Sequence, residues 1–230
     1  MLKIEKIVDL SLQLTNDTPI YPGDPEPNIS VATTLEKDGY NLLHIHLGSQ
    51  TGSHVDAPYH FINEGQRVDE SDLRLFIGVG VVIPVIEKGE EEAITLKDVE
   101  PYLDQLASGK IVLFYTGWSK YVGEEKFFRH PYVHEDVIHE MIKRGIRTFF
   151  MDTINIDRTG GTEFPVHDAV AKVNGIIAEN LTNFGAIDFP NPLISAFPLR
   201  IIGADGSPVR AIAMKFDYKI DTQIDRDSIF

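Results

Sequence analysis

Side chains able to bind a metal ion are concentrated between residues 50 and 60, which read QTGSHVDAPYH. Residues i and i+2 of an extended chain share one face at a separation of about 6–7 Å. The His54 imidazole and the Asp56 carboxylate are therefore able to share one ion. Pro58 lacks a backbone N–H and restricts the residue before it, so we expect a turn there that returns His60 to the same site. The chain has eight histidines, and a chance pairing is the alternative.

A second clue is Glu179, a carboxylate in the apolar segment 176–181, which reads IIAENL. The segment predicts a buried strand. Burying a carboxylate costs free energy unless it is paired or bound to a metal. The alternative is that Glu179 points to solvent at the edge of a sheet.

The motif at residues 50–60, together with Asp9-Leu10-Ser11 and residues 21–25 (YPGDP), resembles the metal-dependent cyclase-type hydrolases. This family includes bacterial kynurenine formamidases and isatin hydrolases. Its pattern, H-x-G-[ST]-H-x-D-x-P-x-H, is matched at Gly52, Ser53, His54, Asp56, Pro58 and His60. The similarity extends from about Ile7 to Phe216, and Gln50 replaces the first histidine of the pattern.

The resemblance implies a two-ion centre. It assigns His54, Asp56 and residue 50 to one ion, and Asp56, His167 and Glu179 to the second, with Asp56 bridging. It assigns His60 as a general base that acts on the attacking water and later passes the proton to the leaving nitrogen. It also implies a homodimer or homotetramer in which the partner chain lines part of the pocket.

Gln50 is the departure from the family pattern. An amide oxygen is a poorer zinc ligand than an imidazole, so we expect the first ion to bind weakly, to be missing, or to be a harder ion such as manganese. We expect one firm ion at Asp56, His167 and Glu179. The chain has no cysteine, which excludes thiolate sites. Zinc is the leading prediction and manganese the alternative, at one or two ions per chain.

Two further segments are candidates for substrate binding. Residues 16–27 contain four prolines and form a loop that the resemblance places beside the active site, with Tyr21 as a substrate contact. The alternative is a surface loop without a role. Trp118, the single tryptophan, is a candidate pocket wall, with a core or subunit contact as the alternative. Asp152 or Asp157 is a candidate to orient a ligand histidine, or else to cap a turn.

The pattern of apolar segments predicts one α/β domain over residues 1–230. We expect strands at 4–14, 42–47 (half-buried), 78–85, 111–115, 146–152, 176–181, 193–202 and 209–216, the last two forming a hairpin through the turn 203–208. We expect helices at 95–109 and 132–144. The resemblance implies the swivelling β/β/α type, with a mixed β-sheet core and flanking helices. Residues 217–230 are an acidic segment without an assigned role.

The formal charge of −14 disfavours binding to nucleic acid. No segment approaches the roughly 20 apolar residues that a membrane span needs. The first residues lack the apolar centre of a signal peptide, so we expect a cytoplasmic protein.

These observations predict a metal-dependent hydrolase of a small-molecule amide or cyclic amide, with N-formylkynurenine as the substrate that the resemblance most suggests. The alternatives are a hydrolase of another lactam, lactone or small amide, and a non-catalytic metal-dependent protein that binds a small molecule.

Overall fold

The computed structural model describes residues 2–218. Residues 219–230, most of the acidic segment, lie outside the described part. The described strands are β1 (Leu2–Asp9), β2 (Asn28–Thr33), β3 (Leu42–His46), β4 (His54–Asp56), β5 (Ile77–Pro84), β6 (Ala93–Ile94), β7 (Ile111–Tyr115), β8 (Tyr132–Val133), β9 (Thr148–Met151), β10 (Ile176–Glu179), β11 (Leu193–Ser195), β12 (Gly206–Pro208) and β13 (Ile212–Tyr218). The α-helices are α1 (Leu35–Asp38), α2 (Leu96–Val99), α3 (Glu135–Lys143) and α4 (Pro165–Lys172).

One mixed sheet of nine strands organises the described chain, in the order β1-β13-β11-β5-β7-β9-β10-β4-β12. Strands β5, β7, β9 and β10 pair in parallel, and the strands on either side of them pair antiparallel. The predicted α/β class, with a mixed sheet and flanking helices, is confirmed. None of the helices within residues 2–218 is long and apolar enough to span a membrane.

The alternation of side chains along the central strands builds a core on each face of the sheet. On β7, Val112 and Phe114 contribute to the core on the face that carries α3 and α4, whereas Ile111 and Leu113 contribute to the core on the opposite face. Because both faces are covered, these strands are apolar throughout, as parallel strands usually are. The same alternation continues to the neighbouring strands and fixes which face their polar residues occupy.

The prediction that residues 193–216 form a hairpin is wrong, because the two strands are not joined by a tight turn. Strands β11 and β13 do pair antiparallel. The chain between them crosses to the far edge of the sheet, where β12 pairs with β4. Residues 203–208 have the composition of a turn, but Gly206–Pro208 form an edge strand, which is a position that tolerates proline because no partner needs its N–H.

The predicted strand at 42–47 exists, but it is not half-buried. All five residues of β3 are exposed, and β3 pairs only with β2 in a separate two-stranded sheet. The alternating pattern identifies a strand correctly, yet it does not say whether the same chain supplies the surface that covers it.

Both predicted helices begin or end differently from the prediction. α2 stops at Val99 and continues as a 3₁₀-helix over Glu100–Gln105, since Pro101 has no N–H for an α-helical bond. Residues 132–133 form β8 instead of helix, and α3 begins after His134, whose ring accepts a hydrogen bond from the Asp136 N–H. His134 and His139 are exposed.

Candidate metal centre

Two antiparallel strands and one helix bring the predicted ligands together. On β4 and β10, His54 lies directly opposite Glu179, and Asp56 follows two residues along the same face. Between them, Val55 points into the core on the opposite face. His167 lies in the first turn of α4, and Pro165 begins that helix. All four side chains are buried.

The spacing of the ligand atoms suits a shared cation. His54 Nε2 lies 3.5 Å from Asp56 Oδ1 and 3.7 Å from Glu179 Oε2. His167 Nε2 lies 3.6 Å from Asp56 Oδ2 and 3.4 Å from Glu179 Oε1. Ligands about 2.0–2.1 Å from a tetrahedral zinc ion are about 3.3 Å apart. Each carboxylate therefore presents one oxygen to each imidazole, and Glu179 faces both histidines rather than His167 alone.

Hydrogen bonds fix both rings with Nε2 directed into the centre. His54 Nδ1 donates to the Gly52 carbonyl oxygen at 2.7 Å. His167 Nδ1 donates to Asp157 Oδ2 at 2.7 Å, and the same carboxylate accepts the Val166 and His167 backbone N–H groups. A metal-binding histidine is usually held in this way by its other nitrogen. Asp157 is thus the orienting residue of the two predicted candidates, whereas Asp152 caps the turn at Thr116.

The residues present fit a bound cation. Both Asp56 oxygens are buried, and neither has a hydrogen-bond partner within residues 2–218. Buried carboxylate oxygens without hydrogen bonds are costly. The donor set of imidazole and carboxylate is one that zinc and manganese accept. His54, Asp56 and Glu179 each offer one ligand atom, and these atoms lie within 4.8 Å of one another.

The pKa values of His54 and His167 also favour a bound cation. Burial opposes a charge on His54, but the facing Asp56 and Glu179 carboxylates outweigh it and raise its pKa to about 9. Burial likewise opposes a charge on His167, and hydrogen bonding to Asp157 outweighs it, so the pKa of His167 is raised well above its usual value. The two carboxylates thus hold positive charge in this space, and a cation that displaces these protons supplies the same charge.

Gln50 and His60 lie beside the centre and are connected by Asp205. Asp205 Oδ2 accepts from His60 Nδ1 at 2.9 Å and from Gln50 Nε2 at 2.9 Å. The hydrogen bond to His60 outweighs burial and holds the pKa of Asp205 well below its usual value. Gln50 Oε1 is buried and without a hydrogen-bond partner in the described chain.

A cavity of about 220 Å³ opens over these residues. It is lined by Tyr21, Asp24, Gln50, His54, Asp56, His60, Phe61, Ile154, Asn155, Phe164, His167, Glu179 and Asn180. The 16–27 loop reaches it as predicted, and the Tyr21 hydroxyl accepts a hydrogen bond from the Gly160 N–H at 3.1 Å. Its volume is small among ligand pockets, which suits a ligand of about one ring.

Trp118 does not line this cavity. It is 4% exposed and packs with Phe127 and Ile154 in a separate cluster. Its indole N–H donates to the Lys126 carbonyl oxygen at 3.3 Å. The structure therefore places it behind Ile154, which does line the cavity, and favours the core alternative for this residue.

Several residues in or beside the cavity were not predicted from the sequence. Asn180 has a left-handed φ of 56° and a buried Oδ1 without a hydrogen-bond partner among the described residues. Phe61 and Phe164 both contact His167, with ring centroids 4.3 and 6.1 Å from its imidazole. Asp205 belongs to a segment that reads as a turn. Only Phe61, which directly follows the motif, carried a signal in the sequence.

Comparisons with known proteins place the chain in a family. The Cyclase family model, described as "Putative cyclase", matches residues 8–158. A kynurenine formamidase from Bacillus cereus is 32% identical over 218 residues, covering 92% of this chain and 98% of that protein. An isatin hydrolase structure has a TM-score of 0.85 at 24% identity, covering 92% of this chain and 93% of that one.

A structure from Bacillus stearothermophilus, described as a predicted metal-dependent hydrolase, has a TM-score of 0.73 at 24% identity and covers 93% of this chain and 98% of that one. At these identities the two structures support the fold alone. The family match covers most of the chain, and the formamidase relative spans nearly all of it. The chain belongs to the cyclase family.

Proposed function

We propose that the protein is a metal-dependent hydrolase of an amide C–N bond, most similar to an arylformamidase that converts N-formyl-L-kynurenine to L-kynurenine and formate. The observation that carries this proposal is the Asp56 carboxylate, buried without hydrogen bonds between two imidazoles that both present Nε2 to it. Such an arrangement gains free energy chiefly by holding a cation.

His54, Asp56, His167 and Glu179 are the proposed metal ligands, and Gln50 Oε1 is a weaker fifth. The proposed ion is zinc, with manganese as the alternative, at one or two ions per chain. A divalent cation in such a site lowers the pKa of water towards neutrality and polarises the carbonyl of the scissile bond. Because each carboxylate presents one oxygen to each imidazole, all four side chains can contact one ion, and a second ion would depend on the weaker Gln50 ligand.

His60 is the proposed general base. Its Nδ1 is engaged by Asp205, so Nε2 is the nitrogen free to act at the cavity that it lines. We propose that Nε2 removes a proton from the attacking water while the C–O bond forms at the formyl carbon. The same nitrogen then gives that proton to the leaving amine nitrogen while the C–N bond breaks, releasing the free amine and formic acid, which loses its proton to solvent to become formate.

The cavity lining supports an aromatic substrate. Tyr21, Phe61 and Phe164 supply aromatic surface. Asp24 is half-buried at the same cavity, and burial raises the pKa of its carboxyl. Asn180 Oδ1 is an acceptor without a partner in the described chain, available to an N–H group of the substrate.

The direct test is steady-state hydrolysis of N-formylkynurenine by the metal-loaded protein, with His60→Gln as the variant. Loss of a general base lowers kcat by about 10²–10⁴-fold. We expect that loss with unchanged metal content, since His60 is not a proposed ligand. Isatin and a small lactone, assayed alongside, distinguish the alternative of a cyclic amide or ester substrate.

Gln50 is the observation that favours a second candidate, a metal-dependent binding protein without turnover. We expect Gln50→His to raise the affinity for the more weakly bound ion, because imidazole is the better ligand. A gain in formamide hydrolysis with that variant supports a weakened hydrolase. Tight binding of N-formylkynurenine without hydrolysis by either protein supports the binding role.

The cytoplasm is the proposed compartment. The chain has no cysteine, so it contains no disulfide that needs an oxidising compartment. Fractionation of the native cells, followed by detection of the protein, tests this proposal.

A further inference from the structure

Among residues 2–218, Asp205 is the one carboxylate that hydrogen-bonds both His60 and Gln50, the two residues beside the metal centre. Its Oδ2 lies 2.9 Å from His60 Nδ1 and 2.9 Å from Gln50 Nε2. The chain separation is 145 residues to His60 and 155 residues to Gln50. Asp205 lies next to the cavity but does not line it as the proposed ligands do.

The contact with His60 selects one tautomer of its ring. A carboxylate oxygen only accepts, so the 2.9 Å contact requires a proton on Nδ1. The neutral imidazole then has its lone pair on Nε2. A Gln50 N–H is 3.4 Å from the same Nδ1, and it cannot donate there while Nδ1 carries a proton. Both donors therefore converge on Asp205 Oδ2.

The contact with Gln50 selects one orientation of its amide. Nε2 donates to Asp205, so the opposite end of the amide presents Oε1. That oxygen is buried and has no hydrogen-bond partner among residues 2–218. Gln50 lines the same cavity as His54 and Asp56. With the amide reversed, an N–H group, which cannot bind a cation, occupies that position.

The backbone around Asp205 holds it in this place. Its carbonyl oxygen accepts from the Ala57 N–H at 2.8 Å, and β12 continues from Gly206 along β4. A Cβ atom added at Gly206 would lie only 2.6 Å from Gln50 Nε2 and 2.5 Å from the Val55 carbonyl oxygen. The glycine therefore permits the close approach of the Gln50 amide to this strand.

We propose that Asp205 is a positioning residue that fixes His60 with Nε2 free and Gln50 with Oε1 free, so that one carboxylate prepares both the base and the additional metal ligand. The first half rests on the proposed function in assigning His60 as the base. The second half concerns metal binding and holds whether or not the protein hydrolyses a formamide.

The tautomer is measured without any assay of turnover. Long-range ¹H–¹⁵N spectra of the metal-free protein, recorded at a pH where His60 is neutral, distinguish the Nδ1–H from the Nε2–H form, and His60→Gln assigns the signal. We expect Nδ1–H in the wild type and in Asp205→Asn, whose amide oxygen still accepts. In Asp205→Leu we expect the Nε2–H form to appear.

Asp24→Asn is the matched control for charge. It removes a nearby carboxylate that lines the cavity and makes no hydrogen bond to His60 in the described chain. We expect the Nδ1–H form to persist in this variant. Loss of that form in Asp24→Asn indicates an effect of charge alone and contradicts the proposal.

The effect on metal binding is tested by calorimetric titration with Zn²⁺ in a double-mutant cycle with Gln50. Removing a residue that orients a ligand weakens metal binding by about 10–100-fold. We expect a loss of that size in Asp205→Leu. In the Gln50→Met background the same substitution has no amide to orient, so we expect little further loss.

Two results overturn the proposal. One is an Nε2–H tautomer of His60 in the wild type, which is decisive even if Asp205→Leu fails to fold. The other concerns the double-mutant cycle. If Asp205→Leu lowers the zinc affinity equally in the wild type and in Gln50→Met, Asp205 does not act through the Gln50 amide. Neither result decides whether the protein hydrolyses N-formylkynurenine, because the hydrolysis assay tests that activity separately.

Discussion

The carboxylate of Asp56 gives the strongest support for the proposed metal site at the scale of a single residue. It is 5% exposed, and neither oxygen accepts a hydrogen bond within the described chain. Glu179 differs, because its Oε1 also accepts the Ile156 N–H at 2.6 Å. A buried carboxylate without hydrogen bonds destabilises a fold, so its retention beside two oriented imidazoles is explained by a ligand role.

Asp157 gives the residue-scale prediction. In Asp157→Ala, His167 loses the acceptor of its Nδ1–H, and the ring is no longer held with Nε2 towards the centre. We expect zinc affinity to fall by about 10–100-fold, as measured by competition with a chromogenic chelator.

Asp168→Ala is the control for this prediction. It removes an exposed carboxylate from the same first turn of α4 and leaves the Asp157 contacts unchanged. Unchanged zinc affinity in Asp157→Ala contradicts the role of Asp157, and a similar loss in both variants indicates a general effect on the helix.

Some of the proposed ligands could be recognised from their local sequence, whereas Asp205 could not, because its contacts are with residues far away in the chain. The spacing of His54 and Asp56 is a local property of an extended chain, so the sequence predicted it. Glu179 was recognisable because a charge interrupts an apolar strand. Asp205 acts only through residues at least 145 positions away, and nothing in its local composition distinguishes it from a turn aspartate.

At the scale of elements, β4 matters because it lies between β10 and β12. β10 places Glu179 opposite His54, and β12 places Gly206 opposite Asp56. The positions of the central strands were predictable, because strands that are buried on both faces of a sheet have continuous apolar sequences. The path of residues 196–211 was not, because the pairing of β12 depends on a strand 150 residues earlier in the chain.

Asp152 gives the prediction at this scale, because it links the ends of β7 and β9. It accepts from the Thr116 N–H, the Thr116 hydroxyl and the Gly117 N–H at 2.9, 2.6 and 2.7 Å. Burial nevertheless dominates and raises its pKa to about 6. The folded protein therefore binds a proton at Asp152 more readily than the unfolded chain, whose aspartates titrate near about 3.9.

The stability that this proton contributes is complete below pH about 4 and is lost as the pH rises through about 6. We expect the unfolding free energy of the wild type, relative to that of Asp152→Asn, to fall by about 1–3 kcal/mol from pH 4 to pH 7. Urea denaturation of the metal-free proteins measures this difference.

Asp188→Asn is the control variant, because we expect its effect on stability to depend on pH in the opposite direction. The hydrogen bond from Lys6 lowers the pKa of the exposed Asp188, so its contribution is lost as the pH falls instead. A difference between wild type and Asp152→Asn that stays constant over this pH range contradicts the account of Asp152.

At the scale of the whole molecule, the hairpin of β2, α1 and β3 exposes apolar side chains. Leu35, Leu43 and Ile45 are 66%, 52% and 57% exposed. A two-stranded hairpin is barely stable alone, and exposed apolar patches often mark interfaces. The hairpin also adjoins the loop that lines the cavity, since Asn16 bonds the Ile29 backbone in both directions. We propose that this hairpin is the interface of the homodimer or homotetramer that the family resemblance implies.

Substitution of the hairpin tests this proposal. We expect Leu43→Lys with Ile45→Lys to convert the oligomer to a single chain, because two charges then replace apolar contacts on one face of β3. Light scattering coupled to size-exclusion chromatography measures the mass. Leu73→Lys, which changes another exposed leucine, is the control. A wild type that is already monomeric, or a double variant that stays oligomeric, contradicts the assignment.

The central claim is that His54, Asp56, His167 and Glu179 form a metal centre that serves amide hydrolysis. Elemental analysis of the wild type and Asp56→Ala, with N-formylkynurenine hydrolysis measured on the same samples, tests it most directly. We expect one or two zinc or manganese ions per chain in the wild type, and the loss of both metal and hydrolysis in a folded Asp56→Ala. Hydrolysis by wild-type protein that holds no metal, even after incubation with zinc and manganese, contradicts the claim.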